Sequence, residues 1–319
     1  MQPQKSSEPS PRDATHLLRV ATYASVLTAV VLVLAKTWAW LDTGAVSLLA
    51  SLIDSIMDSG ASLLNLVAVR FALKPADGNH RFGHGKAEAL AALAQSALIF
   101  LSCAFLVVEA GERLINPTQL GAVHSGVAVI LFSLAATSGL LLLQRHVIRR
   151  TRSTAIRADS LHYASDVAAN VATLAALVLA AYGVPSADPI FALAIAAWLA
   201  LSTRSIIRDS LNELLDRELP EEQRQQIISL ARAHDDVVDV HDVRTRRSGR
   251  TLIIQLHLDL DAELSLKRAH HISAEVEQSL RNALPNADIV IHQDPVGIAE
   301  ERHWIETPDT DTNTNNDSN

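Results

Sequence analysis

The sequence predicts an α-helical membrane protein: six transmembrane helices followed by a small cytoplasmic α+β domain, an open αβ sandwich. Three observations carry this. Hydrophobic residues make up 49% of the 319 and charged ones only 19%, with mean hydropathy +0.18, too apolar for a soluble chain of this length. Six segments reach or approach the ~20 apolar residues that a helix needs to cross hydrocarbon. After about Leu219 the pattern changes to the short alternating and amphipathic stretches of a soluble fold.

The spans are read at 17–41, 46–72, 87–114, 123–147, 160–182 and 188–211. Between them fall Asp42-Thr43-Gly44, Pro75 to Gly85, Asn116-Pro117, the arginine-rich stretch Arg149 to Arg157, and Gly183-Val184-Pro185. Such residues mark exits from the membrane, because irregular backbone in lipid leaves polar groups unpaired. Residues 1–15 are polar, rich in Pro and Ser, and contain no short apolar run ending in a cleavage site. They read as a disordered leader ahead of a membrane domain over 16–211.

Cations set the orientation. Lys74, Arg81 and Lys86 follow the second span, Arg145, Arg149, Arg150, Arg152 and Arg157 follow or end the fourth, and Arg204 and Arg208 end the sixth. The turns at 42–45 and 183–188 contain no Lys or Arg. The positive-inside rule then places both termini in the cytoplasm of a multi-pass protein of the cytoplasmic (inner) membrane. An even number of spans agrees.

The cytoplasmic domain, 212–300, reads α-β-β-α-β. Pro220 opens an amphipathic helix over Glu221 to Ala233, and two alternating strands, Val237 to Thr245 and Thr251 to Asp259, flank a Ser248-Gly249 turn. Leu266 to Leu284 is helical, stopped by Pro285, and Asp288 to His292 is a last short strand. Residues 301–319, dominated by Thr, Asn and Asp, read as a disordered tail. The formal net charge of −8 and the lack of a basic, aromatic-interleaved stripe argue against nucleic acid as a partner. One cysteine, Cys103, permits neither a disulfide nor a thiolate cluster within the chain. Metal chemistry here has to use imidazole and carboxylate.

Two pairs of such groups lie inside the apolar segments: Asp54 with Asp58, and His162 with Asp166. Each pair is spaced i, i+4, so both members share one helix face. Two such faces opposed supply four N/O ligands, a set that suits tetrahedral Zn²⁺. An Asp at mid-membrane costs ~2.5–3.5 kcal/mol on insertion scales, so three with a His need something to offset them. Binding Zn²⁺ lowers three negative charges to one, and the emptied site is expected to take up protons on His162 and one Asp. A site holding either metal or protons is an exchanger once it alternates between the two faces.

Two further groups lie outside the membrane. Asp77, His80 and His84 are closely spaced in a glycine-flanked loop, where three ligands and a water would hold a metal. In the tail domain His241 and His257 come from neighbouring strands, His270 and His271 start a helix, and His292 and Asp294 close the last strand. Satisfied or exposed histidines and a solvated loop remain alternatives for both groups.

The runs Ser51-Leu52-Ile53-Asp54-Ser55-Ile56-Met57-Asp58, Asn79-His80-Arg81-Phe82-Gly83-His84-Gly85-Lys86-Ala87-Glu88 and Leu161-His162-Tyr163-Ala164-Ser165-Asp166 together resemble the cation diffusion facilitator family, nearest its bacterial zinc and ferrous-iron efflux pumps. The resemblance covers about Thr22 to Pro295. It implies a homodimer of six-helix protomers with metallochaperone-like cytoplasmic domains. It also implies a transport site at Asp54, Asp58, His162 and Asp166, and a loop site at Asp77, His80 and His84. A paired site at His241, His257, His270, His292 and Asp294 would join the cytoplasmic domains, and Lys86 and Asp216 would form an inter-helical charge interlock that holds the protomers together near the membrane surface. His271 has no counterpart. Asp54 stands where dedicated zinc members carry His, implying that Cd²⁺ and Fe²⁺ are accepted beside Zn²⁺, while His162 argues against Mn²⁺.

Two other classes fit less well. An intramembrane metalloprotease needs HExxH or a similar base beside an open metal position, and His84 to Glu88 has the wrong spacing. A membrane-anchored metal sensor would not need three acids within its anchor.

Overall fold

The computed structural model describes residues 11–43, 46–115, 127–182 and 187–297. Six long helices come first: α1 (Pro11–Thr43), α2 (Val46–Ala72), α3 (Ala87–Ile115), α4 (Val127–Thr151), α5 (Thr154–Ala181) and α6 (Ala187–Leu214). Then follow α7 (Glu221–Arg232), β1 (Asp239–Ser248), β2 (Thr251–Leu260), α8 (Leu266–Ala283) and β3 (Ala287–Pro295), the expected order. Residues 1–10 of the leader, Gly44 and the turns read at 116–117 and 183–185, residues 298–300 at the end of the cytoplasmic domain, and the tail over 301–319 lie outside the described residues.

Helix bounds differ from the apolar bounds in a consistent way. α1 begins at Pro11, inside the stretch read as a leader, with Pro suited to a first helical turn. The arginine stretch read as a connection is almost wholly helical: α4 runs to Thr151, α5 starts at Thr154, and only Arg152 (φ 54°) and Ser153 break them. Hydropathy marks where a helix leaves hydrocarbon, and arginine is a good helix former beyond that point.

Among the described residues, α1–α4 and α6 each contain a stretch long and apolar enough to cross a membrane. α5 has Arg157, Asp159, His162 and Asp166 in its first half, yet it packs against α2, α3, α4 and α6 as the sixth member of the bundle. α3 packs most extensively on α6, and α1 on α2. Large apolar side chains such as Leu27, Leu34, Trp38, Leu101, Phe105 and Leu201 point outward, where lipid can replace water. Inside, Leu18, Ala21, Val69, Val147 and Ile156 form one core cluster, and Ile99, Cys103, Ala196 and Leu199 another between α3 and α6.

The chain divides into two compact units. The first holds the six helices with residues 245–253 and 286–288, and the second holds the rest of the soluble domain. In the first, the Gly85 and Gly249 backbones pass so closely that a Cβ at Gly85 would lie 2.5 Å from the Ser248 carbonyl oxygen, which excludes any side chain there.

The sheet order is β1-β2-β3, with β1 and β2 joined as an antiparallel hairpin. Hydrogen bonds from Leu252 to Asn286 and from Val296 to Leu260 run in step, so β3 lies parallel to β2, with α8 as the crossover. On β2, Ile254, Leu256, Leu258 and Leu260 are buried, whereas His257 and Asp259 belong to the opposite face. On β1 the alternation slips by one: Val240 and Val243 are both buried across Asp242, whose φ of 44° marks a bulge. Ile227 and Ala231 of α7, and Ile272, Val276 and Leu280 of α8, complete this core.

Candidate metal centres

The first centre lies between α2 and α5. His162 Nε2 is 2.9 Å from Asp58 Oδ1, and one ligand atom each from Asp58, His162 and Asp166 fall within 4.8 Å of one another. Asp54, one turn earlier on α2, is more exposed and is not in that group. Three of the four expected ligands are therefore together, and the fourth is adjacent along the same helix face.

Neighbouring residues hold α5 in place. Tyr163, next to His162 and 1% exposed, shares a 2.6 Å hydrogen bond with Ser62 of α2 and donates to the Ser25 carbonyl of α1 at 3.2 Å. One turn before His162, the fully buried Asp159 accepts from Ser25 Oγ (2.7 Å), Gln144 Nε2 (2.7 Å) and Gln95 Nε2 (3.2 Å). This carboxylate thus ties α1, α3 and α4 to α5. Sequence reading passed over it, although Ser25, Gln95 and Gln144 are polar residues in apolar segments, which was the available signal. It also passed over Lys36 of α1, whose Nζ donates to Ser55 Oγ at 2.6 Å.

The second centre is the loop after α2. Asp77 Oδ1 accepts the backbone N–H groups of His80 (2.8 Å) and Asn79 (2.9 Å), closing an Asx turn. Those two bonds, the His80 one first, hold its carboxyl below the usual range. His80 Nδ1 and His84 Nε2 stand 3.5 and 3.4 Å from the Asp77 oxygens, and the three residues form a ligand group. His84 is buried edge-on to Phe71, and its Nδ1 has no hydrogen-bond partner among the described residues, an atom that a bound ion would satisfy.

The third centre is in the soluble unit. Asp294, 6% exposed, is its hub, with His257 Nδ1 at 2.7 Å, His292 Nε2 at 3.1 Å and His241 Nε2 at 3.4 Å. His241, His257 and Asp294 form a ligand group with a donor set that fits zinc. Asp259 Oδ1, 3.5 Å from His241 Nδ1, was missed, although it follows His257 by two and must share its face. His270 lies on α8, exposed and outside the group.

Lys86 Nζ and Asp216 Oδ1 meet at 2.7 Å within the one chain, and Arg246 reaches the other Asp216 oxygen at 3.1 Å. Burial pushes the Asp216 carboxyl up, but the Lys86 and Arg246 bonds outweigh it and leave it below its ordinary range.

Family models match most of the chain: a cation efflux transmembrane domain over residues 22–215 and a cation efflux protein cytoplasmic domain over 219–296. The chain belongs to the cation efflux family. The cation-efflux pump FieF of Cronobacter sakazakii is 46% identical over 286 residues, 90% of this chain and 95% of that protein. FieF of Serratia proteamaculans is 47% identical, over 89% of this chain and 95% of its own. Among solved structures, the metal-bound C-terminal domain of the CzcD transporter from Thermotoga maritima is 25% identical over 25% of this chain and 93% of that one, with a TM-score of 0.24. The protein is thus a multi-pass membrane transporter for the efflux of metal cations and not an enzyme.

Proposed function

We propose that the protein exports Zn²⁺ from the cytoplasm across the inner membrane in exchange for protons, by alternating access at Asp54, Asp58, His162 and Asp166. The observation that carries this is the convergence of Asp58, His162 and Asp166 from two helices that also line the apolar bundle. Carboxylates and imidazole at that depth are costly unless a dication or protons neutralise them. Asp54 completes the tetrahedron by a rotamer change within its helix turn. The mixed Asp/His set is borderline in softness, so Cd²⁺ and Fe²⁺ are secondary substrates.

The protein acts as a homodimer with both termini in the cytoplasm. His241, His257, His292 and Asp294, with His270, hold structural zinc where the cytoplasmic domains pair, and Asp77, His80 and His84 bind an ion in the loop. Lys86 and Asp216 brace each protomer near the membrane surface. Supporting the pairing is the matched cytoplasmic-domain family, and supporting the ion sites are the ligand groups described above.

The test is stopped-flow metal uptake into vesicles containing the reconstituted protein, with Zn²⁺, Cd²⁺, Fe²⁺ and Mn²⁺ compared. Flux is expected for the first three and to vanish in Asp58→Ala with the dimer intact. Undiminished flux in that variant refutes the site.

A further inference from the structure

Lys36 is the only lysine in α1–α6. It lies in the last two turns of the apolar stretch of α1, which ends at Asp42, and an ammonium held against a neighbouring helix there is costly in hydrocarbon, so its surroundings have to account for it. Half-buried, it donates to Ser55 Oγ at 2.6 Å and to the Ser51 carbonyl at 3.1 Å. Ser55 is itself buried and lies on α2 between Asp54 and Asp58. The two bonds therefore pin the charge against the ligand-bearing turns of that helix, within electrostatic reach of Asp58, Asp166 and Asp54 together.

We propose that Lys36 is a built-in countercharge of the transport site, setting its net charge to that of one dication. Three carboxylates, a neutral imidazole and one ammonium leave two negative charges, which a single Zn²⁺ cancels. The loaded site is then neutral when it crosses the low-dielectric part of its path, and a monovalent ion leaves it charged. Lys36 is not a ligand, because an ammonium has no lone pair to give. It acts through the carboxylates: it repels the bound dication and so keeps affinity low enough for release.

This inference rests on the transport site named above, so its test includes a ligand variant. Initial zinc flux is measured against Zn²⁺ concentration in vesicles containing the full-length protein, for wild type, Lys36→Met, Lys36→Arg and Asp166→Ala. Removing the charge in Lys36→Met is expected to lower KM about tenfold or more and to reduce turnover, because the ion is held too tightly. Lys36→Arg keeps the charge and stays within about threefold of wild type. Should Lys36→Met not insert, Lys36→Gln is read for the same fall in KM.

An unchanged or raised KM, or equal effects of Met and Arg, overturns the countercharge and makes Lys36 a packing residue. Loss of flux in Asp166→Ala beside an unmoved KM in Lys36→Met overturns this inference alone. Flux that survives Asp166→Ala overturns the site and the inference together.

Discussion

Tyr163→Phe is the cleanest probe of how the fold holds the intramembrane ligands, because it removes one oxygen and leaves the ring in place. The hydroxyl is buried and makes two bonds, to Ser62 at 2.6 Å and to the Ser25 carbonyl at 3.2 Å. Leaving buried partners unpaired costs ~1–3 kcal/mol. Ser62, fully buried, can turn its hydroxyl toward its own helix, which puts the net loss at about 1–2 kcal/mol. At ~2–4 °C per kcal/mol for a domain of comparable size, thermal unfolding in detergent should shift down by about 2–8 °C. The freed α5 turn carries His162, so zinc flux is expected to fall about two- to tenfold, in line with the sensitivity of metal sites to the groups that orient their ligands. Unchanged melting together with unchanged flux refutes the claim that this hydroxyl positions the helix.

Further outcomes follow from the other centres. Asp294→Asn removes the carboxylate that three imidazoles face, and zinc affinity measured by competition with a chelating dye should fall about 10- to 100-fold at the cytoplasmic site. His84→Ala should remove metal binding at the loop while leaving the cytoplasmic site filled, as read by metal stoichiometry. Asp216 titrates below its usual value when folded, so its contribution is present above the unfolded pKa and is lost as pH falls through the folded one. The group is 41% exposed, so that contribution is below about 1 kcal/mol. Asp216→Asn should therefore melt slightly lower than wild type at neutral pH, and the difference should close below about pH 4.

Much of this architecture is legible in the residues because membrane helices must satisfy their own backbone and the soluble domain alternates plainly. What was not legible has specific causes. The break between α4 and α5 was drawn too wide, because Arg149, Arg150 and Arg157 flank it yet are still helical. The i, i+4 rule brings Asp54 and Asp58 to one face but does not say which rotamer reaches the facing helix, and only Asp58 does. Asp159 and Lys36 escaped because the side chains that hydrogen-bond them come from other helices, which sequence spacing does not show. The Asp242 bulge, which turns Val240 and Val243 both inward, has no sequence signature beyond an Asp that tolerates positive φ.

Simultaneous recording of metal and pH inside vesicles, for wild type and Asp166→Asn, tests the exchange most directly. The mechanism requires zinc entry to drive proton exit from the same vesicles, an imposed pH gradient to change the zinc rate, and both movements to cease together in the variant. Zinc flux that proceeds without any proton movement, or that persists in the variant, contradicts it.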